Sequence, residues 1–290
     1  MAVVTRFAPS PTGLLHLGHV HAAAFAWRAA RQAAGAFLLR LEDIDPTRCH
    51  QAFAEAIVAD LHWLGLDHDR EIRVQSAHLP AYREALSSLA ARGLIYPCFC
   101  SRAAIAREIA RSAAAPHGPD GAAIYPGTCR TLPSATRAAR LDEGAPHAWR
   151  LDMRRALAAS PARRFLEQGD LPGAGWITAD PAPFGDVILA RRDAPASYHL
   201  CVTHDDAVQG VTLVPRAEDL RPATHLHVLL QQLMGWPTPA YAHHRLLHGP
   251  DGARLAKRDG AATVRALRDA GQQPQDVLAL AGAPDLNTYR

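Results

Sequence analysis

Pro9-Ser10-Pro11-Thr12-Gly13-Leu14-Leu15-His16-Leu17-Gly18-His19 decides how this chain is read. The apolar run Val3-Val4-Thr5-Arg6-Phe7-Ala8 precedes it and an alanine-rich segment follows. A strand, a Pro/Gly-rich turn and a helix is the plainest reading. His16 and His19 stand three apart at the start of that helix, which puts both imidazoles on one face. A helix N-terminus offers unpaired N–H groups and the positive end of a dipole, a setting that suits phosphate. Gly18, between them, has no side chain to hold a base or ribose away from the backbone. Residue types alone leave a plain surface turn, with two of the chain's 16 histidines on it, equally open.

The 290 residues suffice for a sizeable core and two domains. An apolar content of 48% with 20% charged residues describes a globular chain, and no apolar run of membrane length lacks Arg, His or Gln. No signal-peptide pattern precedes Arg6, and the 5 cysteines make no disulfide framework at this length. A cytoplasmic protein is expected. The net charge of +3 allows an RNA partner through a local patch without requiring one. Of 31 Lys plus Arg, Lys257 is the single lysine. Where arginine serves everywhere else, a retained ammonium marks chemistry that a guanidinium cannot do; chance survival is the alternative.

Phe37-Leu38-Leu39-Arg40-Leu41 reads as a second strand, ended by Glu42-Asp43-Ile44-Asp45-Pro46. Acidic groups at the end of a parallel strand face the crevice where open α/β sheets bind ligands. Asp43 and Asp45 are read instead as caps of the next helix. Helical spacing covers 49–64 and 79–91, and 94–99 reads as a third strand. The alternation predicts an α/β fold with a doubly wound parallel sheet. From 102 to 183 the composition turns to Ala, Arg, Pro and Gly with weak periodicity, as in an insertion between the halves of the sheet. The stretches 184–192 and 196–202 read as strands, 222–234 as a helix and 240–247 as a last strand. The expected organisation is a core of 1–97 and 184–248, an insertion at 98–183, and a loop with short C-terminal helices at 249–290.

Cys98-Phe99-Cys100 and, after a long gap, Cys129 bring three thiols from two short loops. Thiolates so spaced suit a tetrahedral structural zinc with one position left to fill. His117 is a nearby candidate for that position, and three buried cysteines without metal are the plain alternative.

The opening stretch resembles the class I aminoacyl-tRNA synthetases that activate glutamate, with His16-Leu17-Gly18-His19 in the place of their HIGH motif. Arg254-Leu255-Ala256-Lys257-Arg258 is similar to their KMSKS loop, with Lys257 on its lysine and Ala256 replacing a serine. The stretch from Leu41 to Arg48 resembles a second landmark and Tyr198 to Leu220 a third. In the third, Thr203, His204, Leu213, Pro215 and Ala217 depart from the usual pattern. The resemblance covers nearly the whole chain but only the catalytic half of the family's architecture, without its large helical anticodon-binding region.

The resemblance implies a Rossmann-like parallel sheet with a zinc-containing insertion domain and a short C-terminal helical appendage. It implies ATP, with Mg²⁺, bound by His16, Gly18, His19 and Lys257; of these His16, His19 and Lys257 would act on the phosphates. It implies a glutamate pocket lined by Arg6, Phe7, Ala8, Pro9 and Ser10. There Glu42 would hold the amino group, and Tyr198 and Arg216 would meet a carboxylate. The physical case agrees, since a dicarboxylate needs at least one Arg fork and a hydroxyl to orient it. The family's zinc pattern points to Cys98, Cys100, Tyr125 and Cys129, with Tyr125 in the place open to His117. A short branch of the family lacks the anticodon-binding region. It implies activation of L-glutamate without tRNA, then transfer to queuosine in the anticodon of tRNA(Asp), by a monomer. The alternatives are a truncated ligase acting on the acceptor end of tRNA(Glu), a small-molecule nucleotidyltransferase, and a non-catalytic zinc and RNA-binding module.

Overall fold

The computed structural model describes residues 2–110, 117–169, 171–247 and 262–283. The first third holds β1 (Val4–Phe7), α1 (Leu17–Gln32), β2 (Ala36–Leu41), α2 (Gln51–Trp63), β3 (Arg73–Val74) and α3 (Leu79–Ala91). β1 pairs with β2 and β2 with β3, both parallel. Gly35 makes the first pairing possible: a Cβ there would lie 2.0 Å from the Val3 carbonyl oxygen.

The middle of the chain holds β4 (Ile95–Cys98), α4 (Arg102–Ala110), α5 (Ser134–Asp142), β5 (Ala148–Leu151), α6 (Met153–Ala159), β6 (Arg164–Glu167), β7 (Gly175–Thr178) and β8 (Ile188–Ala190). β4, β5 and β8 form an antiparallel sheet of their own, so β4 is not the third strand of the parallel sheet that alternation predicts. β6 leaves this region to pair in parallel with β10 (Ala240–His244). Strand pairing therefore does not follow the expected division at 98 and 183.

Between β8 and β10 lie α7 (Tyr198–Val208), β9 (Leu213–Ala217) and α8 (Arg221–Met234); α9 (Val264–Asp269) and α10 (Pro274–Leu280) follow. β9 pairs in parallel with β10. The stretch 196–202, read as a strand, is the start of helix α7. Its apolar run is too short to separate the two periods. The helical period sets Tyr198, Asp205 and Asp206 toward one side, which a strand would not do.

The two parallel groups meet at β1 and β9. The Thr212 amide donates to the Val4 carbonyl at 3.0 Å, and the Val4 N–H donates to Thr212 Oγ1 at 2.9 Å. The strand order is thus β3-β2-β1 and then β9-β10-β6-β7, which reverses direction between β1 and β9. In open α/β sheets this switch point is where a crevice forms at the carboxyl ends of the strands.

Both faces of the sheet are covered. Phe7, Phe37, Leu39 and Leu41 face a core shared with α1, α2, α9 and α10. Val4 and Leu38 face the opposite way, toward Val214, Val228 and Tyr241. Phe37 and Leu39 are fully buried, each worth roughly 2 kcal/mol relative to exposure. The same two-residue alternation turns Arg6, Arg40 and Glu42 to the side of Val4 and Leu38, where α7 presents its carboxylates. Val264, Val277 and Ala281 close the other side against α1, and His21 Nδ1 lies 2.8 Å from the Ala281 carbonyl oxygen. Asp43 and Asp45 do not cap α2, whose N-cap is His50. Asp45 accepts from the Thr47 amide and hydroxyl, and Asp43 accepts from those of Ser76.

Candidate active site and metal centre

A cavity of about 450 Å³ opens at the β1/β9 switch point. Arg6, Phe7, Ala8, Pro9 and Ser10 line it from the end of β1, and His16, Gly18 and His19 from the start of α1. Glu42, Tyr198 and Arg216 line it from β2, α7 and β9. The structure therefore brings together every expected site residue of the ATP and glutamate sets except Lys257, which lies outside the described residues. The described chain on either side of Lys257 is at this cavity. Leu247 lines it, and Thr263 pairs with His16 while the Val264 amide donates to the Leu15 carbonyl at 2.8 Å.

The two histidines cap α1 with their rings. His16 Nδ1 accepts from the Gly18 amide at 3.1 Å, and His19 Nδ1 accepts from the His16 amide at 3.3 Å. The pair forms a capping box in which imidazoles replace the usual hydroxyl and carboxylate. An Nδ1 that accepts leaves a neutral ring's proton on Nε2, so both rings are set as Nε2 donors. Their centroids are 3.8 Å apart. Two N–H donors on a helix N-terminus can meet the oxygens of one anion.

Beneath the cavity lies a buried ionic cluster. Arg6 Nε donates to Asp206 Oδ1 at 3.1 Å and Arg6 Nη1 to the Pro215 carbonyl at 3.3 Å. Arg40 Nη1 donates to the same Asp206 oxygen at 2.8 Å, and Nη2 to Glu42 Oε1 at 3.3 Å. Asp205 takes Arg73 Nε at 2.9 Å and the Tyr82 hydroxyl. Arg6, Arg40 and Arg73 are thus matched by Glu42, Asp205 and Asp206. Burial alone would pull the Arg40 guanidinium down; the carboxylates of Asp206, Glu42 and Asp205 reverse that. Burial pushes the Glu42 carboxyl up to about 7, against the pull of Arg40 and Arg6. Such a carboxyl gains most from an arriving cation.

Arg216 differs. It is buried, and among the described residues it makes no ion pair. Its Nε donates to His243 Nε2 at 3.2 Å, its Nη1 lies 3.1 Å from His227 Nδ1, and its Nη2 donates to Thr224 Oγ1 at 2.5 Å. A desolvated guanidinium held by neutral acceptors keeps its charge for a ligand. Tyr198 lies beside it on the cavity wall, where burial pushes its phenol up, so it stands as a neutral hydroxyl.

Sequence reading does not reach Arg40, Asp206, Thr224, His227 or His243 as parts of this site. Asp205-Asp206 carries a signal, a carboxylate pair in a run that is otherwise buried. His227 and His243 carry none, since one sits in an ordinary amphipathic helix and the other in a His-His pair at the end of a short apolar run.

Outside this cavity the thiols of Cys98, Cys100 and Cys129 lie within 4.8 Å of one another. Cys100 Sγ is 3.4 Å from Cys129 Sγ and 3.4 Å from the Tyr125 hydroxyl. The Tyr125 oxygen accepts from the Cys129 amide at 2.9 Å, and the Arg150 guanidinium carbon sits 3.9 Å from its ring centroid. His117 is exposed, pairs with Ala123 and does not join the cluster. Burial pushes the Cys100 thiol up to about 11 and Tyr125 higher still. Burial also acts on Cys129, but donors from Tyr125 and the Phe99 amide hold it below its ordinary value. Thiols this close, with an oxygen donor at their edge, fit a tetrahedral zinc.

Comparison with known proteins agrees with this geometry. Residues 2–282 match the family described as "tRNA synthetases class I (E and Q), catalytic domain". A Rhodobacter capsulatus protein named "Glutamyl-Q tRNA(Asp) synthetase" is 46% identical over 97% of this chain and 100% of its own length. A "Glutamate--tRNA ligase" of Aquifex aeolicus is 38% identical over 94% of this chain and 55% of its own. A crystal structure of a glutamate tRNA ligase from Elizabethkingia meningosepticum with its amino acid superposes with a TM-score of 0.79 at 26% identity. It covers 97% of this chain, which spans 60% of that ligase. No helix among the described residues is long and apolar enough to cross a membrane. The chain is a ligase that belongs to the class I tRNA synthetases for glutamate and glutamine, with the catalytic domain of that family along nearly its whole length.

Proposed function

We propose that this enzyme activates L-glutamate with ATP, without tRNA, and transfers it to queuosine in the anticodon of tRNA(Asp). The observation that carries the reading is Arg216, a buried guanidinium with neutral partners, sharing one cavity with Glu42 and the histidine-capped α1. Arg216 and the Tyr198 hydroxyl receive a carboxylate of the substrate. Glu42 receives its ammonium, and Arg6 adds positive potential from the cavity floor. The α-carboxylate attacks the α-phosphate of ATP, forming a C–O–P bond and releasing pyrophosphate, so no general base is needed. The Nε2 donors of His16 and His19 stabilise charge on the phosphate, and Lys257 follows the departing pyrophosphate. ATP enters with Mg²⁺. The relatives named for the queuosine reaction, matched along their full length in one case, support tRNA(Asp) as the acceptor.

Cys98, Cys100, Tyr125 and Cys129 would hold one zinc, whose contribution is to fix two loops of the 98–183 region as a face for tRNA. The enzyme acts as a cytoplasmic monomer. Glutamate-dependent ATP–pyrophosphate exchange without tRNA tests the first step. Exchange that disappears in Lys257→Ala supports the reading. Exchange only after tRNA(Glu) is added would replace it with charging of an acceptor end.

A further inference from the structure

Arg216 is held in place by a chain of side chains that reaches far behind the cavity. A guanidinium only donates, so each nitrogen facing it must carry a lone pair. His243 Nε2 accepts from Arg216 Nε at 3.2 Å, which leaves the proton of the neutral ring on Nδ1. That nitrogen lies 2.5 Å from Glu167 Oε2. His227 Nδ1 accepts from Arg216 Nη1, so its proton is on Nε2, 3.1 Å from His199 Nδ1. Glu167, His227 and His243 are all at most 2% exposed.

We propose that Glu167 is a positioning residue: through the tautomer of His243 it aims Arg216 at the carboxylate of the substrate. The role rests on the glutamate reading given above. Glu167 never touches the cavity, and every contact it makes is as an acceptor. Its Oε1 takes the His243 amide at 3.0 Å and the Gly169 amide at 2.9 Å, while Oε2 takes His243 Nδ1–H. The turn that allows this is itself constrained. A Cβ on Gly169 would lie 2.4 Å from the His243 carbonyl oxygen and 2.8 Å from Glu167 Oε1. An ionised carboxylate satisfies all three donors at once; an amide cannot. With glutamine at 167, its NH₂ must face either the two backbone amides or His243 Nδ1–H. The first leaves buried donors opposed. The second moves the His243 proton to Nε2, against Arg216 Nε–H. Placing the negative charge one imidazole away has a second consequence. Glu167 balances the buried guanidinium at a distance yet leaves its near N–H groups for the ligand, which a direct salt bridge would occupy.

The test is Glu167→Gln, with Glu167→Asp beside it, in glutamate-dependent exchange. Glu167→Gln is expected to raise KM for glutamate about tenfold to a hundredfold, the scale of one lost buried charge-assisted hydrogen bond, with kcat and KM for ATP changed less than about threefold. Glu167→Asp keeps a carboxylate and is expected to restore part of the loss. Histidine side-chain ¹H–¹⁵N NMR is expected to find the His243 proton on Nδ1 in the wild-type protein. A folded Glu167→Gln whose KM for glutamate is unmoved, a defect confined to kcat, or a wild-type His243 protonated on Nε2 would each overturn the role. A wild-type protein without exchange would overturn the glutamate reading and this role with it. Normal wild-type exchange with an unmoved variant KM overturns this role alone.

Discussion

In the proposed role of Glu42, glutamate binding should weaken sharply as pH falls from 8 to 6, because the carboxyl must be ionised to receive an ammonium group. Burial pushes this carboxyl up to about 7 in the free protein. The ionised fraction is then about nine tenths at pH 8, about half at pH 7 and about one tenth at pH 6. The affinity for glutamate should fall about tenfold across that range, and binding near pH 7 should release a proton, since the ammonium pulls the carboxyl back down. An ordinary exposed glutamate would give a change of less than about one tenth. Three histidines near the site do not titrate in this window. Burial holds His199 and His244 at about 4 and His227 well below its ordinary value, so they stay neutral across this window. The sign for stability is opposite to that of a paired carboxylate. A raised acid favours the fold fully below its unfolded value of about 4.5, and that contribution is lost as pH rises through about 7. The loss is about 3 kcal/mol by pH 8. Glu42→Gln should therefore stabilise the free protein at pH 8 while abolishing glutamate binding. Calorimetric titration of glutamate without ATP, in buffers of different ionisation enthalpy, reads both affinity and proton release. An affinity unchanged between pH 6 and 8, or proton uptake on binding, would refute the reasoning.

Two further outcomes can be checked on the protein alone. Asp206→Asn leaves Arg6 and Arg40 without their shared counter-ion and should cost about 3–5 kcal/mol in urea unfolding, against less than about 0.5 for Asp180→Asn at the surface. Cys129→Ser should abolish the roughly one zinc per chain expected in the purified protein, measured by elemental analysis, whereas Cys49→Ser, remote from the cluster, should leave it.

Much of the fold and half of the site could be read along the chain, and the division follows physical range. Where the determinant is local, the reading holds. The turn from Pro9 into α1 announces itself by Pro, Gly and the paired histidines, and α3 and α8 by their apolar period. The Cys-x-Cys pair and Cys129 announce a cluster because thiols are rare and chemically distinct. Tyr125 stands against Cys100 as the family pattern implies, and His117 does not. Where the determinant is a choice between periods over a few residues, reading along the chain fails. The run from Tyr198 to Val202 suits a strand as well as a helix, and tertiary packing around Leu200 and Cys201 decides. β6 is harder still, because nothing in Arg164–Glu167 marks it as a partner of β10.

The partners that hold Arg216 were out of reach for a related reason. Glu167, His227 and His243 lie on two strands and a helix, and meet Arg216 only because β6 and β9 flank β10. Each of these three is unremarkable where it stands in sequence. The family pattern points to Arg216, but its electrostatic character comes from what surrounds it: neutral acceptors instead of carboxylates. Arg6 shows the contrast. It lines the same cavity as Arg216, yet Asp206 already holds its Nε. The electrostatic character of a buried arginine is a property of its partners, and partners that far apart in sequence are assigned by topology. The sheet order around the switch point therefore does more than make a crevice. It decides which guanidinium at the crevice is left to be neutralised by the ligand.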